Sequence, residues 1–273
     1  PSLQTATTVS ATEILLHFNE KLDSSLPDFP DYIITPSVTV NAVSLSNSMR
    51  DILLTLNESL VRGVVYQIKV LGIADCSNNV TAETDSINFG IPAPGGNRDV
   101  VISEIMADPS PVVGLPETEY VELYNRTDDW INVDGWKICD ETDTVVLSNI
   151  SIFPQSFAVL IGSSASAYAD TLANVTRIPH FMSLNNSGEK IAILDYGNKK
   201  IDEVAYFQTW LDPAKRDGGW SLERIDPDDF CVDQNKNWKA SRSPVGGTPG
   251  QSNSIDGIVE DFDSPALISA DIL

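Results

Sequence analysis

Only three cysteines, two histidines and 17 lysines and arginines occur among 273 residues, against 39 aspartates and glutamates. Three cysteines, Cys76, Cys139 and Cys231, are too few for a disulfide-stapled scaffold. With no C-x-x-C and only His17 and His180, a zinc site lacks its usual ligands. The shortage of bases leaves a formal net charge of −22. Carboxylates and phosphates repel, which argues against nucleic acid as a partner. Long apolar runs are missing as well. The uncharged residues 148–169 contain Pro154, Gly162 and six serines, so they are no bilayer-spanning helix of ~20 apolar residues. Direct membrane insertion is not expected. No basic-then-apolar leader opens the chain, so a signal peptide is expected either to have been removed or to lie outside it. No G-x-S-x-G elbow, no phosphate loop of the GxxxxGK[ST] type and no nucleophile arrangement around either histidine is present. Catalytic residues: none are assigned.

What is present reads as strand. The apolar share of 42% is enough to fill ordinary cores, and 273 residues suit about two domains at ~100–200 residues each. Residues 13–18 (EILLHF), 51–56 (DILLTL) and 64–70 (VVYQIKV) are short apolar or alternating runs bounded by Asn, Ser, Gly and Pro. In the third run Tyr66, Ile68 and Val70 share one face, while Gln67 and Lys69 take the other, the period of a half-buried strand. Ile91-Pro92-Ala93-Pro94-Gly95-Gly96 interrupts the series, and residues 93–97 read as a linker. Further strand runs follow at 100–106, 120–124, 136–139, 144–147, 157–161, 190–194, 201–206 and 220–225, with one short helix expected over 164–172. Gly246-Gly247-Thr248-Pro249-Gly250 closes them with turn chemistry. Crossover helices are lacking, so the expected class is all-β, two antiparallel β-sandwiches in tandem. Residues 255–273 are expected to form an acidic linker, and the echo of Pro1-x-Leu3-x-x-Ala6 in Pro265-x-Leu267-x-x-Ala270 is read as the start of a next module.

Two resemblances sharpen this reading. Residues 1–92 resemble the bacterial Ig-like domain first described in surface-layer proteins. The matching pieces are residues 12–23 (TEILLHFNEKLD), residues 63–70 (GVVYQIKV) and Gly72-Ile73-Ala74-Asp75 followed by Asn78-Asn79. Asn78 stands where that family usually has Gly, and Asn tolerates positive φ. Residues 98–254 are similar to a lamin tail domain of the bacterial secreted kind. The similarity rests on residues 102–109 (ISEIMADP), 119–125 (EYVELYN), 134–136 (DGW), 184–189 (LNNSGE), 219–225 (GWSLERI) and 247–250 (GTPG). The resemblance implies an Ig-like sandwich with no known catalytic residues, and the pairing of the two types resembles surface proteins of the Bacteroidetes.

All five tryptophans fall in the second half. Trp136 and Trp220 sit in strand patterns and are expected in the core, with Trp238 packed near the closing strand. Trp130 and Trp210 lie in turns beside Asp129 and Asp212; they are candidates to stack on a ligand, with satellite packing as the competing reading. Calcium takes 6–8 hard oxygens, and Asp226, Asp228, Asp229 and Asp233 are the best candidate set, although the loop does not fit D-x-[DN]-x-[DN]-G. Glu104, Glu119 and Glu122 evoke the paired carboxylates of glycoside hydrolysis, but that chemistry needs an open cleft. Glu223 and Arg224 read as a structural pair. Cys139 and Cys231 are candidates for one disulfide, closing a ~90-residue loop and contributing about 4–5 kcal/mol on the chain-entropy account; burial as separate thiols is the alternative.

The expected function is a non-catalytic segment of a secreted or cell-surface protein, serving spacing, display or adhesion. The competing readings are a carbohydrate-binding module, with or without calcium, and an accessory domain of a secreted nuclease or other hydrolase lying outside this chain. No cofactor is expected unless calcium binds. The expected partners are neighbouring domains of the same longer chain and a surface glycan or protein.

Overall fold

A computed structural model describes residues 1–26, 31–82 and 86–255. The class is all-β: 20 strands and a few short 3-10 helices, with no α-helix among the described residues.

The first seven strands are β1 (Leu3–Ser10), β2 (Glu13–Phe18), β3 (Tyr32–Thr35), β4 (Val40–Leu45), β5 (Asp51–Leu56), β6 (Val65–Val70) and β7 (Ser86–Gly90). They form two antiparallel sheets, ordered β1-β2-β5-β4 and β3-β6-β7. Alternation decides what each strand buries, because successive side chains leave opposite faces. Ile14, Leu16 and Phe18 of β2, Ile52, Leu54 and Leu56 of β5, and Tyr66, Ile68 and Val70 of β6 all enter one core. Asn78 takes φ +62° in the loop after β6, where Asp75 accepts hydrogen bonds from the backbone N–H groups of Ser77 and Asn79.

The expected linker opens with β8 (Ala93–Pro94). After it come β9 (Val100–Met106), β10 (Tyr120–Asn125), β11 (Ile131–Asn132), β12 (Lys137–Cys139), β13 (Thr144–Val146), β14 (Ser151–Ile152), β15 (Phe157–Gly162), β16 (Val175–Ile178), β17 (Gly188–Leu194), β18 (Lys200–Phe207), β19 (Leu222–Arg224) and β20 (Trp238–Ala240). A six-stranded sheet, β16-β15-β10-β9-β19-β20, and the sheet β13-β12-β17-β18 share one core, to which a small sheet β14-β11-β8 adds Ile131 and Ile152. The pairs β15–β16 and β8–β11 are parallel; every other strand pair is antiparallel. Trp136 and Trp238 are fully buried in the second core, and Trp220 packs against it half-buried. The helix expected over 164–172 is a 3-10 helix, Ala167–Thr171.

One β-bulge positions the site. Glu122 pairs with Glu104 and Leu123 pairs with Ile102, so Ser103 is the extra residue on β9. The bulge lets Ile102 and Ile105, three apart, both enter the core and turns Glu104 onto the opposite face. That face is covered as well. Residues 246–255 cross it as a strap, and Ile255, where an acidic linker was expected to begin, is fully buried. The rest of that linker and the expected next module, residues 256–273, lie outside the described residues.

Candidate functional site

Three carboxylates stand in a row across the strapped face. Glu122 of β10 lies opposite Glu104 of β9, which lies opposite Glu223 of β19. All three are fully buried. Adjacent-strand partners share a face, so the antiparallel register itself places them side by side.

Hydroxyls and backbone N–H groups satisfy them. Glu104 Oε1 accepts from Tyr120 Oη at 2.7 Å, Ser221 Oγ at 2.5 Å and Thr248 N at 2.9 Å. Glu122 accepts from Ser103 Oγ at 2.7 Å and Gly250 N at 2.5 Å. Glu223 accepts from Thr248 Oγ1 at 3.0 Å and Ser254 Oγ at 2.8 Å. Asn253 Nδ2 adds bonds to the carbonyls of Ser103 and Arg224. Thus each acid holds the strap through at least one bond. Gly247 is required there: a Cβ would sit 2.5 Å from Tyr120 Oη and 2.6 Å from Glu104 Oε1.

Burial removes the water that would stabilise a carboxylate, and the neighbouring acids add repulsion. Glu104 is pushed up to about 7, first by burial and then by Glu223. Burial, followed by the Glu104 charge, pushes Glu122 well above the ordinary range. Tyr120 is likewise driven upward, so its hydroxyl stays a donor. The pairing of Glu104 with Glu122 resembles an acid–base dyad in chemistry only, because the strap seals both from solvent. Glu119 stands apart: its carboxylate accepts from Leu184 N at 3.1 Å, and burial raises it.

A second buried charged group corrects the expected Glu223–Arg224 pair. Strand alternation sends the two to opposite faces. Arg224 instead meets Asp202 of β18, Nη2 to Oδ2 3.1 Å, both almost wholly buried. Asp202 Oδ2 also accepts from Ile102 N at 2.9 Å. Burial outweighs the pairing on both sides, raising Asp202 and lowering Arg224.

The remaining candidates are scattered. Trp130 is half-buried and stacks on Phe153, centroids 4.8 Å apart. A Cβ on Gly90 would lie 3.4 Å from its ring. Its backbone N–H donates to Gly63 O at 2.6 Å, and its carbonyl accepts from Ala93 N at 2.7 Å. Trp130 therefore packs at the join of the two units, its ring between Phe153 and Gly90. Trp210 packs partly against the second core and meets Phe207 edge-on at 5.8 Å. It also lines a shallow depression of about 520 Å³ with Asp212, Arg216, Asn235 and Lys239.

The four aspartates do not converge on a cation. Asp226 and Asp229 turn inward to cap the N–H groups of Asp228 and Cys231, Asp228 pairs with Arg126, and Asp233 lies 3.9 Å from Lys236. Among the described residues no three His, Cys, Asp or Glu side chains are placed to hold a metal ion. Cys139 and Cys231 are not bridged; all three cysteines are free thiols. Cys139 Sγ lies against Ala192 O within the β12–β17 pair at 3.6 Å, whereas Cys231 is exposed on the loop between β19 and β20.

Sequence reasoning found Glu104 and Glu122 but missed Glu223 as their third member, along with Tyr120, Ser221 and the strap donors. The available signal was an acid inside an apolar strand, as in VVISEIM and YVELYN.

No curated protein matches the chain. Among solved structures, the chain is similar to the N-terminal part of the bacterial S-layer protein SbsC, at 13% identity and a TM-score of 0.32, covering 76% of this chain and 43% of that one. A second structure, S-layer protein rSbsC(31-844), gives 9% identity and a TM-score of 0.31, covering 76% of this chain and 40% of that one. The chain thus spans about two fifths of these structures' length. Residues 93–208 match the family model of the lamin tail domain, an Ig-like fold.

Proposed function

We propose that the chain is a non-catalytic segment of a longer secreted or surface protein, built from two sandwich units, residues 1–92 and 98–254, that serve in spacing, display or adhesion. The observation that carries this reading is the closed carboxylate row. The acids best placed for chemistry are occupied in fastening residues 246–255, with hydroxyls and backbone N–H groups filling their oxygens. The junction supports a spacer role. Trp130 N donates to Gly63 O at 2.6 Å across the junction, and Ala93 N of the linker donates to Trp130 O at 2.7 Å; such bonds limit relative motion of the units.

A second reading has one observation behind it. The depression beside Trp210 combines an aromatic face with polar groups, the mixture a carbohydrate module uses. A glycan array on the full chain, run with and without EDTA, separates the two. A blank array is expected for the spacer. Binding that Trp210→Ala abolishes would establish the carbohydrate module instead, and loss with EDTA would make it cation-dependent. Turnover of chromogenic glycosides or nuclease substrates by the purified chain would overturn the non-catalytic assignment.

A further inference from the structure

Thr248, on the strap, places one hydroxyl between two of the buried acids. Its Oγ1 lies 3.0 Å from Glu223 Oε1 and 3.4 Å from Glu104 Oε2, and neither acid has exposed surface. The other hydroxyls of the row lack this arrangement. Ser103 Oγ and Ser221 Oγ each reach one carboxylate and otherwise a backbone carbonyl. Tyr120 Oη reaches Glu104 alone among the acids, and Ser254 Oγ reaches Glu223 alone.

The two oxygens of Glu104 are unlike. Oε1 accepts from Tyr120 Oη, Ser221 Oγ and Thr248 N, at 2.7, 2.5 and 2.9 Å. Three donors on one oxygen polarise the carboxyl group and can hold the charge that forms when its carbon is attacked. Oε2 meets only the Thr248 hydroxyl among the described residues. It is therefore the oxygen left to carry the proton that burial and the Glu223 charge favour. A neutral carboxyl group with a polarised carbonyl, a hydroxyl beside it and a second carboxyl group bonded to that hydroxyl are the parts of an acyl transfer.

We propose that Thr248 and Glu104 join as an ester, with Glu223 carrying the proton, and that this bond fastens the strap covalently. Thr248 Oγ1 attacks Glu104 Cδ while its proton passes to Glu223 Oε1. The charge developing on Glu104 Oε1 falls among its three donors. Glu223 then returns the proton to the departing Oε2 hydroxyl. One Oγ1–Cδ bond forms, one Cδ–Oε2 bond breaks and one water leaves, so no other reactant is consumed. The fold already holds the two groups together, which removes the cost of an encounter, and burial shields the ester from hydrolysis. The bond goes beyond the spacer reading. Tension on the chain after the strap would reach β9, an interior strand of the six-stranded sheet, through a covalent link rather than through hydrogen bonds.

Intact mass spectrometry of the full chain is expected to show a species one water lighter than the sequence mass, growing as the folded chain is incubated. Glu104 titrates only in the species of full mass. A tryptic digest of the lighter species is expected to contain residues 99–126 joined to residues 243–273, and mild alkali is expected to part them. Thr248→Val and Glu223→Gln are each expected to stay at full mass with an unaltered circular-dichroism spectrum. Should either variant fail to fold, the joined peptides of the unaltered chain decide. A lighter species that persists in Thr248→Val would mark dehydration at an Asp-Gly step such as Asp217-Gly218 and would overturn the proposal. A join to residues 217–224, which carry Ser221, would overturn the choice of nucleophile. Full mass throughout the incubation would overturn the ester and leave hydrogen bonds as the fastening of the strap, while the spacer reading is decided separately by the glycan array.

Discussion

Glu104 and Glu122 stand directly opposite each other on neighbouring strands, both sealed from solvent. Neither makes an ion pair among the described residues. Two adjacent buried carboxyls cannot both ionise cheaply. The arrangement therefore favours a protonated member, whose proton reduces the repulsion while the hydroxyl and N–H donors remain in place.

This gives the second unit a stability that falls with rising pH. Glu104 is raised from an ordinary 4.5 to about 7. The unfolded chain releases its proton first, so the contribution is full below about 4.5 and is lost as pH climbs through about 7, on the order of 3 kcal/mol. Glu122 acts in the same direction. Tryptophan-detected melting should show a lower midpoint at pH 8.5 than at pH 5.5. Glu104→Gln should flatten that difference, and an unchanged slope in the variant would assign the effect elsewhere.

The strap depends on close approach at Gly247. Gly247→Ala should place a methyl against Tyr120 Oη and Glu104 Oε1 and destabilise the unit by ~1–3 kcal/mol. The measurements are the urea midpoint and early proteolytic cleavage within 246–255. A midpoint equal to that of the unaltered chain would show that the strap has room to shift.

Trp130 should behave as a packing residue. Trp130→Ala removes the stack on Phe153 and the cover over Gly90, with an expected cost of ~3 kcal/mol. Small-angle scattering should report a broader distribution of separations between the two units. A glycan-binding defect with stability intact would contradict this role.

The thiols offer a direct check. Burial and Asp140 raise the Cys139 thiol, while Cys76 and Cys231 are exposed. Iodoacetamide should label Cys76 and Cys231 quickly and Cys139 slowly, and denatured protein should take up three labels without reductant. Uptake of one label under those conditions would establish the Cys139–Cys231 bridge after all.

The amino-acid sequence by itself determined the class and most of the strands, because period-two alternation in runs such as VYQIKV and DILLTL is local information. It also carried the resemblance to lamin tail domains over residues 93–208, which include Trp136. Tertiary structure alone decided the partnerships. Glu223 joined Glu104 through a strand pairing 119 residues apart in sequence, and Arg224 turned away from Glu223 toward Asp202 because neighbours on a strand face opposite ways. The Ser103 bulge, invisible in composition, chose which face Glu104 would occupy. Trp130 and the acidic loop looked available because turns are usually exposed; packing against Phe153 and capping of backbone N–H groups used them up. Register and long-range contact set these outcomes, and neither is written in any short stretch of chain.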